Sequence, residues 1–319
     1  MPVPPVDKSE AGLAPTTGHA SIRATLKSSP PHARWAPWAF IAPFVVLFST
    51  FTLWPLIQSL VLAFAQTFGP KHTEFVGFEN FKFLFSDPLF WQALRNTALY
   101  SAGAVFIQVP IALGLALLLN RPGLKGRAVF RLIFFAPSLV GLVFAAVMFW
   151  LLFQKRTGLV NAGLHALFPM WDPEFAWLDH HVMASLILAS VWLFSGFNMI
   201  YFLAALQNVN RELVDAASID GAGPWARFRH VVIPEIRPVG SFVLLLAIIG
   251  SFQVFELPFV LLNNTGGPGN RGLTIVMYLY QTGFLTGDLG YASAIGWVLG
   301  LLLAVAAAVQ MRLTRAEEN

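Results

Sequence analysis

The chain has 319 residues, of which 56% are hydrophobic and 11% charged, with a net charge of +4 and no cysteine. A soluble domain carries about 25% charged residues, and here the apolar residues fall in blocks as long as the ~20 that cross a bilayer; composition therefore excludes an ordinary soluble domain. It also excludes disulfides, thiolate metal sites and a cysteine nucleophile, while the basic balance, pI about 9.6, lies beside apolar blocks and reads as membrane topology, not nucleic-acid binding.

Residues 1–36 are rich in Pro, Ser, Thr and Ala, with Lys8, Arg23, Lys27 and Arg34 scattered among them. Such a segment cannot build a core and reads as a disordered tail. It is no cleavable signal peptide, because its apolar run begins too late and lacks a small-residue cleavage site. Six apolar blocks follow at 37–65, 96–119, 129–153, 182–206, 239–262 and 290–311. In lipid each must satisfy its own backbone, which makes each a helix. The expected fold is an all-α membrane protein of six transmembrane helices over 37–311, with a short tail at 312–319. Pro43 and Pro55 are expected to kink the first helix or mark its ends.

Placing the N-terminus in the cytoplasm puts 14 of the 20 Lys and Arg on that side, leaving Lys71, Lys82, Arg95, Lys155, Arg156 and Arg271 outside. The positive-inside rule selects this orientation, with both termini cytoplasmic. The outer segments at 66–95, 154–181 and 263–289 hold Trp171, Phe175, Trp177 and Tyr280, suited to a membrane boundary. The run Asn263 to Asn270 reads as loop by its Gly, Pro and Asn content.

The stretch 207–238, between the fourth and fifth blocks, carries the most information. Leu206, Val209, Leu213 and Ala217 share one helix face. Gly221-Ala222-Gly223 breaks that helix, and Pro224 suits the first position of another. Trp225, Phe228 and Val232 share a face of the second helix, which Pro234 is expected to end. A hairpin of two amphipathic helices leaves apolar groups beside the bilayer, where burial against a partner contributes about 25 cal/mol per Å². Packing on its own chain or on lipid headgroups is the alternative.

The run Asp215-Ala216-Ala217-Ser218-Ile219-Asp220-Gly221, nine further residues, then Val231-Val232-Ile233-Pro234 resembles the signature of ABC import permeases: Glu-Ala-Ala, three residues, Gly, nine residues, Ile-x-Leu-Pro. Asp215, Val231 and Ile233 replace Glu, Ile and Leu, keeping charge or apolar character. Ile219-Asp220-Gly221-Ala222, Val76 to Phe81, Asn96-Thr97, Gly126-Arg127 to Pro137 and Thr265 to Pro268 are similar to the carbohydrate branch, of the maltose-transporter type of first permease subunit. Asn210 stands where that branch often has Pro. The resemblance implies that Asp215, Ala216, Ala217, Asp220, Gly221 and Pro234 form a coupling helix seated on a separate ATPase. It further implies a second permease subunit, an ATPase dimer holding ATP and Mg, an extracytoplasmic solute-binding protein, and a bacterial cytoplasmic membrane. No cofactor is expected on this chain.

No catalytic motif is present: there is no G-x-x-x-x-G-K-[ST], no H-E-x-x-H and no G-x-S-x-G. Adjacent His180 and His181 would not face one metal from a helix. Polar residues within the blocks, Asn198, Ser251, Gln253 and Glu256, are candidates for a solute path, with interhelical hydrogen bonding as the competing role. Gln253 and Glu256, three apart, are expected on one face of the fifth helix. A self-sufficient secondary carrier or channel is the rival class; such proteins show repeat symmetry or intramembrane acids and bases, and here Glu256 alone fits.

Overall fold

The computed structural model describes residues 35–67 and 73–316, so the tail expected at 1–36 lies almost wholly outside the described residues. Among the described residues, five helices are long and apolar enough to cross a membrane: α1 (Pro37–Ala63), α3 (Pro88–Leu119), α7 (Val182–Asn208), α9 (Pro224–Phe252) and α12 (Leu289–Thr314). A sixth crossing can be made by a bent pair, α4 (Arg127–Leu139) and α5 (Leu142–Leu152). Shorter elements lie between them. They include β1 (Ala65–Thr67), β2 (Thr73–Phe75), α2 (Glu79–Ser86), α6 (Leu159–Leu167), α8 (Arg211–Ile219), α10 (Glu256–Leu261) and α11 (Ile275–Leu285), besides single turns of helix at Trp177–His180 and Pro268–Asn270.

The chain divides into two units at Gln58 and Ser59, within α1. From Trp35 to Gln58 no described side chain is buried, and a helix apolar on every side suits lipid. Pro43 lies inside this helix and Pro55 follows a widened π turn at Ser49–Leu53, so neither ends it.

That π turn recurs. Trp54 N–H reaches back to the Ser49 carbonyl, Val109 to Ala104 and Ile233 to Phe228, and the next residue each time is a proline: Pro55, Pro110 and Pro234. Proline has no N–H and its ring crowds the carbonyl four residues earlier. A turn that steps back five residues makes room for the ring, and the helix continues.

Two expected helices break. The block at 129–153 divides into α4 and α5, bent by 98°. Pro137 lies in a 3₁₀ turn, Val140 and Gly141 are extended, and Ser138 Oγ donates to the Phe135 carbonyl at 2.6 Å. The block at 239–262 also breaks: α9 ends at Phe252 and α10 begins at Glu256. The carbonyl of Val254 in that gap accepts from Thr274 Oγ1 at 3.0 Å, so the broken backbone keeps a partner. Conversely α9 starts at Pro224, well before the expected 239, and α12 continues past the expected 311. The β1–β2 hairpin, with Gln66 opposite Glu74, and α11 were not expected at all. Both are too short to register as a span.

Packing in the second unit centres on α7, which crosses the later half of α3. Ala112 and Ala116 of α3 meet Met199, Phe202, Leu203 and Leu206, small residues that let two helices approach where lipid offers no hydrophobic drive. Ile236 and Val243 of α9 complete this cluster. A second cluster joins α5, α7 and α10 through Phe149, Leu186, Leu193 and Leu257, and a third joins Leu84, Phe90, Ile275 and Ile295.

Candidate functional site

The hairpin starts where α7 ends. Asn210 caps α8, its side-chain oxygen accepting from the Glu212 N–H at 2.9 Å; this satisfies a donor that the first turn of a helix leaves open. Asn210 thus starts the helix with its own side chain. At the other end Ala222 N–H donates to the Ala217 carbonyl (2.9 Å) and Gly221 N–H to the Ser218 carbonyl (3.2 Å). This is a Schellman closure, and Gly221 takes the left-handed φ of +80° it requires. Gly223 is extended, Pro224 opens α9, and an Arg227 guanidinium donates to Ser218 Oγ across the turn.

Expectation and structure differ at Pro234. It does not end a second short helix. The π turn at Phe228–Val232 carries the helix through it, and the second arm of the hairpin is the first part of α9. At 29 residues, α9 runs roughly 43 Å at 1.5 Å per residue. The base of the hairpin is fixed, since Val209, Val232 and Ile233 pack against the α3–α7–α9 cluster. The tip is bare: α8 has no buried residue, Ile219 is 87% exposed and Trp225 69%. Asp215, Ala216, Asp220, Gly221 and Pro234 are exposed and Ala217 half-buried.

The four polar candidates are not brought together. Asn198 and Ser251 are buried in the helix packing, and Ser251 Oγ is hydrogen-bonded to Ser101 Oγ of α3 at 2.8 Å. Gln253 and Glu256 are exposed, but they do not share a helix face, because the helix stops between them. Among the described residues no three His, Asp or Glu side chains gather as a metal would need. The His181 ring stacks on Phe175, with centroids 4.7 Å apart.

A polar lock at the end opposite the hairpin escaped the sequence reading. Asp87, buried, caps α3 through the Leu89 N–H (2.9 Å) and accepts from the hydroxyls of Tyr291 (2.7 Å) and Tyr278. Asn96 Nδ2 donates to the carbonyls of Asn270 (2.8 Å) and Leu273 (3.0 Å), and Thr97 Oγ1 accepts from the Ile275 N–H at 2.9 Å. The pair Asp87-Pro88 was the available signal, an N-cap followed by proline at the first helical position.

A family described as the binding-protein-dependent transport system inner membrane component matches residues 80–317. The chain belongs to that family. This permease is 39% identical over 282 residues to the arabinooligosaccharides transport system permease protein AraP of Bacillus subtilis (strain 168), across 88% of each chain. It is 37% identical to the lactose transport system permease protein LacF of Rhizobium radiobacter, over 87% of this chain and 93% of that one. With the sn-glycerol-3-phosphate transport system permease protein UgpA of Yersinia pestis it shares 33% over the same fractions. The permease fold matches a chain of a bacterial ABC transporter that imports the acidic polysaccharide alginate, with a TM-score of 0.78 and 24% identity, over 93% of this chain and 99% of that one. It is a multi-pass membrane protein of the ABC importer permeases.

Proposed function

We propose that this permease forms half of the translocation path of an ATP-driven importer for a sugar or oligosaccharide, and that α8 with the start of α9 couples the path to a separate ATPase. The single observation that carries the coupling role is mechanical. The exposed tip at Ile219 and Trp225 belongs to a hairpin whose second arm is one uninterrupted helix reaching Phe252. A displacement of the tip therefore moves the whole of α9 and, through Ser251, its contact with α3.

The orientation that places this hairpin in the cytoplasm is the one favoured by the Lys and Arg distribution. ATP and Mg bind the ATPase dimer, whose closure pushes on the hairpin; a solute-binding protein delivers solute on the other side, and a second permease supplies the other half of the path. Coupling then requires that nucleotide and solute each favour one of two states. The names of the arabinooligosaccharide and lactose relatives support a saccharide solute. Asp215, Ala216, Ala217, Asp220 and Gly221 form the docking surface, with Pro234 fixing the direction in which it points. Of the path candidates, Gln253 and Glu256 are preferred over Asn198 and Ser251, because they are exposed at the break after α9 while the other two are buried.

The test compares wild type with Gly221→Asp after co-expression with a sister permease, ATPase and binding protein. Loss of ATPase copurification and of solute-stimulated ATP hydrolysis, with the chain still inserted, is the expected result. Unchanged ATPase binding and uptake would return the self-sufficient carrier to first place.

A further inference from the structure

We infer that this permease carries, beyond the path itself, a recognition site for acidic saccharides in the cleft between the start of α3, the start of α7 and the loop before α11. The cleft encloses about 590 Å³ and is lined by Trp91, Gln92, Arg95, Asn96, His180 and Arg271, among others. That volume falls within the roughly 300–1,000 Å³ of ligand sites. Three separate stretches of chain supply these residues, so nothing in the local sequence brings them together.

The chemistry of the lining is one-sided. Arg95 and Arg271 are both exposed, neither has an ion-pair partner among the described residues, and no carboxylate lines the cleft. Guanidinium groups bind carboxylates through paired, charge-assisted hydrogen bonds. The amides are already oriented. Gln92 Nε2 donates to the Gly269 carbonyl at 2.6 Å, and Asn96 Nδ2 to those of Asn270 and Leu273. Neither amide oxygen has a hydrogen-bond donor among the described residues, and an amide oxygen accepts from a sugar hydroxyl. Trp91 is held by its own Nε1–H, which donates to the Phe85 carbonyl at 2.9 Å, while half of its surface stays open. A half-exposed indole, two side-chain amides and two guanidinium groups without an ion-pair partner among the described residues together suit a sugar ring that carries a carboxylate. A neutral sugar could accept from the guanidinium groups through its hydroxyls but would offer no charge to pair with them.

This inference deepens the reading of the chain as a saccharide permease, but its test needs neither transport nor ATP. The full chain, in nanodiscs of zwitterionic phosphatidylcholine, is titrated with trigalacturonate, with its neutral methyl ester and with inorganic phosphate, following Trp fluorescence and heat. Trigalacturonate is expected to bind at least about tenfold tighter than the ester, the loss of charge-assisted hydrogen bonds being worth that much. Arg95→Gln and Arg271→Gln are each expected to remove most of that preference. Both residues are exposed, so an unchanged Tm confirms that the variants fold. Trp91→Ala is expected to weaken acid and ester alike. Equal binding of acid and ester overturns the site, and so does a preference that survives both Arg substitutions. Binding of phosphate without saccharide overturns it in favour of a plain anion site, and loss of trigalacturonate binding when phosphatidylglycerol is added to the discs overturns it in favour of a lipid headgroup. A negative result here leaves the Gly221→Asp experiment unaffected, so the two readings fail separately.

Discussion

The backbone of Phe134 in α4 lies directly against Gly196 of α7: a Cβ added at Gly196 would fall 1.8 Å from the Phe134 carbonyl oxygen and 3.0 Å from the Phe135 Cα. The obstacle is backbone, which cannot swing away as a side chain can. Gly196→Ala is therefore expected to cost about 3 kcal/mol or more, the upper end of overpacking, and to lower Tm in detergent. Gly250→Ala, where a Cβ meets nothing within 4 Å, serves as the control and should leave Tm unchanged or slightly raised. Equal behaviour of the two variants would refute the close crossing.

Asp87 joins three elements through one carboxylate. Asp87→Ala removes the cap of α3 and leaves the Tyr278 and Tyr291 hydroxyls without their acceptor. A loss of about 3 kcal/mol is expected, against about 1 for Tyr291→Phe. The two changes should add to less than their sum, because they share a partner. Thermal unfolding of the single and double variants measures this, and full additivity would show that the hydroxyl does not depend on Asp87.

Asn210→Ala should act locally. The cap is worth about 1 kcal/mol, yet α8 buries no residue, so global Tm should barely move. Amide exchange at Glu212 to Val214 should accelerate about fivefold, as that energy implies. No change in exchange would mean that the start of α8 is held by something other than Asn210.

Pro234→Ala removes the reason for the π turn at Phe228–Val232. If the turn relaxes to α-helix, the chain before it shifts by one residue, about 100° around the axis. The chain has no cysteine, so spin labels attach only where cysteines are introduced. Labels at exposed Ile219 and Leu246 should report a changed distance with α9 still helical. An unchanged distance would show that the hairpin direction is set by its packed base and not by the proline.

The hairpin was the most legible part of the site, because its signals are local. Gly221 must take a positive φ after a helix, and Pro224 must start the next one; each demand involves a few adjacent residues. Asp87-Pro88 signalled a helix cap, but the tyrosines that lock onto Asp87 and the Arg95–Arg271 cleft were not legible. Tyr278 and Tyr291 lie 191 and 204 residues from Asp87, and no periodicity links such positions.

By itself the sequence determined that apolar blocks form helices in lipid and that a turn interrupts them after Ile219. Both follow from backbone groups that must find partners within a short stretch of chain. Only the tertiary structure decided which prolines a helix passes through and which break it. Pro110 and Pro234 are bridged by π turns, whereas at Pro137 the chain turns by 98° beside the Phe134–Gly196 crossing. A proline removes the same hydrogen bond at each place; what replaces that bond depends on the neighbours that surround it.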